Sequence, residues 1–170
     1  MKHFSVIVSI IILLCCCTRQ SAQLPSNKSI SSSEKMDMMT YNKLCIEAEM
    51  AEIKAYLDTT SIDFTKSDYG YWYKVINQGT GAKVAGAVTI AGTVQVLGGT
   101  KFHQLTNLTL RLGKRDHTKV LDLALVGTRV GDEILIISPS SLAYGLKGIS
   151  NCITSRTPVL YKIKVLNTNE

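Results

Sequence analysis

Apolar residues follow four successive patterns along the 170-residue chain. They form a nearly unbroken run from Phe4 to Leu14, and they are sparse in the polar stretch that follows. They then recur every three or four residues up to about residue 60, and from Tyr69 onward they alternate with polar residues. Helices repeat every 3.6 residues and strands every two. The pattern therefore predicts a helix followed by a region built mainly of strands.

The first periodic region predicts an amphipathic helix at residues 34–60. Ser31 and Glu34 have the spacing of a capping box at a helix start. Gaps of seven, four, three and four residues separate the main apolar side chains, which are Met39, Ile46, Met50, Ile53 and Leu57. Such spacing places all of them on one helical face. We expect this face to dock on the rest of the protein or to pair with a second copy of the helix.

The second periodic region predicts strands and one short helix. The strands are expected at residues 71–76, 88–96, 108–112, 134–137 and 159–165, and the helix between Asp116 and Gly127. The uninterrupted apolar run at 134–137 indicates a central strand that is buried on both faces. This order is typical of an α+β domain in which a curved antiparallel sheet wraps around one short helix.

The N-terminal apolar run has the features of a signal peptide. Lys2 precedes it, and the run is too short to cross a bilayer as a permanent helix. Leu14-Cys15-Cys16-Cys17 resembles a bacterial lipobox in which Cys17 carries the lipid, with Cys16 as the other candidate. This interpretation gives a signal peptide at 1–16 and a flexible tether at 17–33. The alternative is an ordinary secretory signal that is cut after Ala22.

The charge and the remaining cysteines narrow the function classes. The chain has 19 Lys+Arg against 13 Asp+Glu, and this excess is dispersed, so nucleic-acid binding is not expected. Cys45 and Cys152 allow one disulfide, although two free thiols fit equally well. His3, His103 and His117 lack metal-ligand spacing, so no metal is expected. Neither a nucleotide-binding glycine motif nor a Gly-x-Ser-x-Gly nucleophile motif occurs, and any chemistry must come from a pocket without a cofactor.

Five motifs follow one another through residues 69–167. They are Tyr71-x-Tyr73-Lys74-Val75-Ile76-x-x-Gly79-x-Gly81, Gly99-Thr100-Lys101-Phe102, Val130-Gly131-Asp132-Glu133, Pro139-Ser140-Ser141-Leu142-Ala143-Tyr144-Gly145 and Pro158-Val159-Leu160-Tyr161-x-Ile163-x-Val165. In this order they resemble the FKBP family of peptidyl-prolyl cis-trans isomerases. The resemblance implies an FKBP-like domain that acts on Pro-containing or unfolded client polypeptides and assists the folding of exported proteins.

The resemblance also implies a pocket and its residues. Phe102 stands at the position of a wall aromatic, Tyr144 at that of a hydroxyl donor to the bound peptide, and Tyr161 at that of an aromatic base. Ile153 takes the place of an aliphatic wall, Leu121 that of the floor, and the backbone N–H near Thr118 that of a further donor. Such a pocket removes water from an X–Pro amide and favours its twisted form.

Several positions depart from the family pattern. Leu121 replaces the usual floor tryptophan, Gly92 a strand tyrosine, His103 an aspartate, and Leu108 an aromatic residue. Three hypotheses therefore stand: an isomerase, an FKBP-like binding or chaperone module with little activity, and a structural envelope lipoprotein.

The N-terminal part adds an expectation about location and assembly. The tether and helix resemble exported lipoprotein members of the family, some of which form homodimers through such a helix. Residues Thr18–Ser21 contain no acidic residue, which favours a lipid-anchored position in the bacterial envelope that faces the periplasm.

Overall fold

The computed structural model of the protein describes residues 32–169, and their side chains from residue 37 onward. The predicted signal peptide at 1–16, Cys17 and almost all of the tether at 17–33 lie outside the described residues. From Met39 onward the chain belongs to one compact unit. Neither helix of the described part combines the length and the apolar content that a membrane crossing requires.

The described chain contains two helices, a six-stranded antiparallel sheet and one 3-10 turn. The sheet has the order β1-β2-β5-β6-β3-β4. In chain order the elements are α1 (Ser32–Thr59), β1 (Thr65–Lys66), β2 (Trp72–Asn77), β3 (Ala87–Val96), β4 (Phe102–Arg111), α2 (Lys119–Ala124), β5 (Glu133–Ser138), the 3-10 turn Ser140–Leu142 and β6 (Val159–Asn169). This is the predicted α+β fold, with one short helix before the penultimate strand.

The inner face of the sheet packs around α2. Val94 and Ile136 lie opposite Tyr161 on the two neighbouring strands, so all three side chains point to the same face. Leu121 of α2 is fully buried in the same apolar cluster. Full burial of each such side chain stabilises the fold by roughly 1.5–3 kcal/mol. This inner layer is the main core of the domain.

The outer face of the sheet is covered by the second half of α1. Trp72 and Ile137 are partners across β2 and β5, and both pack against Ile53 of α1 in a separate apolar cluster. Tyr56 and Leu57 add to this contact. The structure thus confirms that residues 134–137 form a central strand buried on both faces, because α2 covers one side and α1 the other.

Only part of the predicted apolar face of α1 is docked on the sheet. Ile53 is buried and Leu57 is partly buried, whereas Met39 and Ile46 are exposed. A helix of 28 residues is about 42 Å long, while a strand of six residues such as β5 spans about 20 Å. The helix is therefore longer than β5, and its exposed first half extends beyond the contact that Ile53 makes with Trp72 and Ile137.

We expect Ile53→Ala to destabilise the domain by about 2–5 kcal/mol, because Ile53 is 0% exposed and its removal leaves a cavity against Trp72. Urea denaturation followed by the emission of Trp72, the only tryptophan of the chain, measures this loss. Ile76→Ala is the control, since Ile76 is 48% exposed and should cost no more than about 0.5 kcal/mol. Equal losses in the two variants would contradict the docking of α1 on the sheet.

Candidate functional site

A cavity of about 250 Å³ opens between the start of α2 and the loop that follows β5. Its lining residues come from these two segments only, and they are His117, Thr118, Ala143, Tyr144, Lys147 and Gly148. Two of the six residues predicted for the site, Thr118 and Tyr144, therefore line the same cavity. The cavity lies on the inner side of the sheet, where Tyr144 packs against the main core.

Tyr161 supports this cavity from below. Its side chain is fully buried on β6, and its hydroxyl lies 3.1 Å from Oγ1 of Thr118. The ring of Tyr144 stacks on that of Tyr161, with 6.2 Å between the ring centroids and 26° between the planes. Such offset aromatic pairs are favourable beyond the area they bury. Thr118, Tyr144 and Tyr161 thus form one connected group.

Tyr144 and His117 carry polar atoms that the protein leaves unpaired. The imidazole of His117 meets the Tyr144 ring edge-on, with 5.9 Å between centroids and 86° between planes. The hydroxyl of Tyr144 and Nδ1 of His117 are both buried, and in the part of the chain that the structure describes neither forms a hydrogen bond of good geometry. The nearby hydroxyl of Tyr161 interacts with that of Tyr144 and lowers its pKa, though by less than burial raises it. Buried polar atoms without partners are costly. A peptide bound in the cavity offers the carbonyl and N–H groups that these atoms lack.

Burial sets the protonation state of the site. It raises the pKa of Tyr144, and it raises that of Tyr161 still further above its ordinary value. Both phenols therefore remain neutral hydrogen-bond donors at neutral pH. Burial, together with the nearby His103, lowers the pKa of His117. The imidazole is consequently neutral at pH 7, and the cavity wall carries no charge at this position.

Leu121 and Ile153 lie in the core beneath the site. Both are buried in the inner apolar cluster together with Tyr161. Ile153 is fixed by a pair of backbone hydrogen bonds with Ile149, of 2.7 and 2.9 Å. Gly148 permits this close turn, because a Cβ there would overlap the carbonyl oxygen of Ile153. These two predicted residues support the cavity and do not line it.

The expectation that Phe102 forms a pocket wall is wrong. Phe102 is the first residue of β4 and is 58% exposed. It lies opposite Gln95, whose neighbour Val94 points inward, so the register turns Phe102 to the outer face. His103, opposite Val94, is the residue that points to the inner side here. The short connection between β3 and β4 leaves no loop that could bring Phe102 back over the cavity.

The glycine at position 92 is required by the packing of the strands. Gly92 lies opposite Ile163 and Leu105, and the β3–β4 register shifts beside it. A Cβ at this position would overlap the carbonyl oxygen of Lys162 on β6. No tyrosine fits here without a shift of the backbone, and the buried side chain on the adjacent strand is that of Leu105. The close packing of β3 against β6 therefore excludes an aromatic side chain at position 92.

His117 is the main site residue that sequence reasoning missed. Its contact with Tyr144 joins residues 27 positions apart, and no local pattern reports it. The one available signal was its place directly before Thr118.

Of the two alternatives for the cysteines, the structure has the free thiols: Cys45 and Cys152 do not form a disulfide. Within residues 32–169 no group of three metal-binding side chains is found.

The fold and the cavity define a small α+β domain in which tyrosines and backbone groups, rather than a reactive side chain, form the site. Comparison with known proteins agrees with this class. The family model described as FKBP-type peptidyl-prolyl cis-trans isomerase matches residues 79–166, which is more than half of the chain. No curated protein sequence matches significantly.

Solved structures of the same fold are similar to the chain. A peptidyl-prolyl cis-trans isomerase from Pseudomonas syringae is 21% identical with a TM-score of 0.63, and the match covers 75% of this chain and 96% of that one. FkpA from Escherichia coli is 17% identical with a TM-score of 0.58, over 98% of this chain and 82% of that one. At these identities the likeness shows the fold.

The chain belongs to the FKBP-type peptidyl-prolyl cis-trans isomerase family. Its function is the cis-trans isomerisation of peptide bonds before proline in client polypeptides.

Protonation of His117 should destabilise the protein as the pH falls below about 6.5. The unfolded chain binds this proton at the ordinary histidine pKa, whereas the folded chain, with its lowered pKa, binds it only at lower pH. Urea denaturation at pH 7.5 and at pH 5.5 measures the effect. We expect wild type to lose more stability between these values than His117→Asn. An identical loss in both proteins would contradict the neutral, buried imidazole.

Proposed function

We propose that the cavity between α2 and the loop after β5 is the isomerase active site. The observation that carries this proposal is the buried hydroxyl of Tyr144, which makes no hydrogen bond of good geometry within the described residues and belongs to the lining of a cavity of about 250 Å³. Rotation about an amide bond is opposed by about 18–20 kcal/mol of resonance, which the twisted amide has lost. An apolar cavity that removes water from the amide therefore favours the twisted state over the planar one.

Each residue of the site has a separate role in this proposal. Tyr144 donates its O–H to a carbonyl of the bound peptide, and its raised pKa keeps the proton in place. The backbone N–H of Thr118, directly before the first residue of α2, is a second donor. Tyr161 forms the aromatic base and fixes the Thr118 hydroxyl. Leu121 and Ile153 are buried beneath the cavity and exclude water from this side of it.

His117 takes over part of the wall that Phe102 does not supply. It lines the cavity and packs edge-on against Tyr144, as an aromatic wall would. Its neutral imidazole presents a ring to the proline without bringing a charge into the site.

Removing the Tyr144 hydroxyl tests this assignment. We expect Tyr144→Phe to lower kcat/KM for a Pro-containing peptide about tenfold, because one donor to the substrate is lost. A protease-coupled assay, or NMR exchange, measures the rate. Tyr69→Phe is the matched control, since Tyr69 is 65% exposed and distant in sequence from the site. A wild-type rate equal to the uncatalysed one, with aggregation of unfolded clients still suppressed, would instead support a binding module.

We further propose that the protein is lipid-anchored in the bacterial envelope, faces the periplasm and pairs through α1. The lipobox-like Leu14-Cys15-Cys16-Cys17 supports the anchor. The exposed Met39 and Ile46 support the pairing, because they continue the helical face on which Ile53 docks. A long polar tether lets the catalytic domain reach clients at a distance from the membrane.

Two variants separate the anchor from the pairing. Replacing both Cys16 and Cys17 by alanine should move the protein from the membrane fraction to the soluble fraction, where light scattering still gives twice the monomer mass. Met39→Lys combined with Ile46→Lys should leave it in the membrane fraction but halve the mass measured in detergent. A membrane-bound double alanine variant would contradict the anchor, and an unchanged mass of the lysine variant would contradict the pairing.

A further inference from the structure

Glu49 of α1 binds the start of the loop that carries Tyr144. Its Oε2 accepts the backbone N–H of Ser140 at 2.9 Å, and its Oε1 accepts the Ser140 hydroxyl at 2.7 Å. Both residues are buried, and Glu49 is only 9% exposed. A buried carboxylate is costly unless it is fully hydrogen-bonded, and bonds to a charged acceptor are the stronger kind. The contact is therefore a specific clamp across 91 residues of sequence.

Ser140 in turn holds the turn around Tyr144. Its carbonyl oxygen accepts the backbone N–H of Ala143 at 3.0 Å and that of Gly145 at 2.8 Å. These are the two residues that flank Tyr144. Ser140 thus donates two hydrogen bonds to Glu49 and accepts two from the turn. A displacement of Ser140 moves the backbone on both sides of the Tyr144 ring.

A second contact joins α1 to the other side of the same turn. The guanidinium of Arg156 donates to Oδ1 of Asn42 at 2.8 Å and lies 5.2 Å from the ring centre of Tyr41. The backbone N–H of Arg156 donates to the carbonyl of Gly145 at 2.8 Å. The helix therefore reaches the Tyr144 turn at two places, through Ser140 and through Arg156.

We propose that Glu49 is a positioning residue of the isomerase site, through which α1 sets the place of Tyr144. The proposal rests on the function proposed for Tyr144. Glu49 touches no substrate, and it acts through Ser140 and the turn at 143–145. Ile53 and Leu57 dock α1 on the outer face of the sheet independently of Glu49. The helix can therefore remain docked while the clamp on Ser140 is lost.

The test compares Glu49→Ala and Glu49→Gln with Glu47→Gln in the full chain. Glu47 lies on the same helix but is exposed, with a single ion pair to Lys43. We expect Glu49→Ala to lower kcat by up to about tenfold, no further than the loss of the Tyr144 hydroxyl itself, with little change in KM, because a misplaced donor is at most a lost donor. Glu49→Gln, which keeps one acceptor oxygen, should fall between Glu49→Ala and wild type. Glu47→Gln should match wild type.

Two further measurements, kcat of a double variant and the emission of Trp72, distinguish a positioning role of Glu49 from a merely structural one. In the Tyr144→Phe background, Glu49→Ala should cause little further loss of kcat, because both changes disable the same donor. The emission of Trp72, which reports docking of α1 against Ile53, should stay as in wild type. Additive losses in kcat, or full activity of Glu49→Ala, would overturn the proposal.

Amide hydrogen exchange separates this proposal from the proposed function. In Glu49→Ala the amides of Ala143 and Gly145 should exchange faster than in wild type, whereas those of β5 should not change. This readout needs no catalysis, so an inactive wild type would refute the function of Tyr144 and still leave the clamp measurable. Unchanged exchange at Ala143 and Gly145 would overturn the clamp itself.

Discussion

The burial of β5 on both faces is the constraint on which the rest of the structure depends. Side chains alternate along a strand, so the four consecutive apolar residues Ile134–Ile137 must point to two opposite sides of the sheet. Each side therefore needs an apolar cover. The short helix α2 supplies the inner one, and the second half of α1 supplies the outer one. A six-stranded sheet with only one cover would expose part of its most apolar strand to water.

The same constraint places the functional loop between the two covers. The chain leaves β5 at Ser138 and passes directly into the loop that carries Tyr144. On the inner side this loop meets the start of α2, where the cavity lies. Towards α1 it comes within hydrogen-bond distance of Glu49. Contact with α1 thus follows from the position of the loop at the end of a strand that requires two layers.

The apolar pattern and the order of the motifs predicted the fold well, because the spacing of apolar residues can be read directly from the sequence. The buried run Ile134–Ile137 and the position of α2 follow from the apolar pattern. The placement of Thr118 and Tyr144 at one site was implied by the family resemblance alone. Phe102 was misplaced because motif spacing ignores strand register, and a single position decides which face a side chain points to. His117 and Glu49 were missed because their partners, Tyr144 and Ser140, lie far away in the sequence.

The distribution of satisfied and unsatisfied polar groups argues that the cavity is prepared for a ligand. Elsewhere in the domain, buried polar groups are paired: Asp132 accepts the N–H groups of Gly79 and Arg129, and Asp122 accepts that of Arg115. Within the described part of the chain, the two buried side-chain atoms without partners are the Tyr144 hydroxyl and Nδ1 of His117. Each such atom costs about 1–3 kcal/mol. Both atoms belong to the wall of one cavity. A bound peptide that forms hydrogen bonds with them therefore removes this cost, which favours binding.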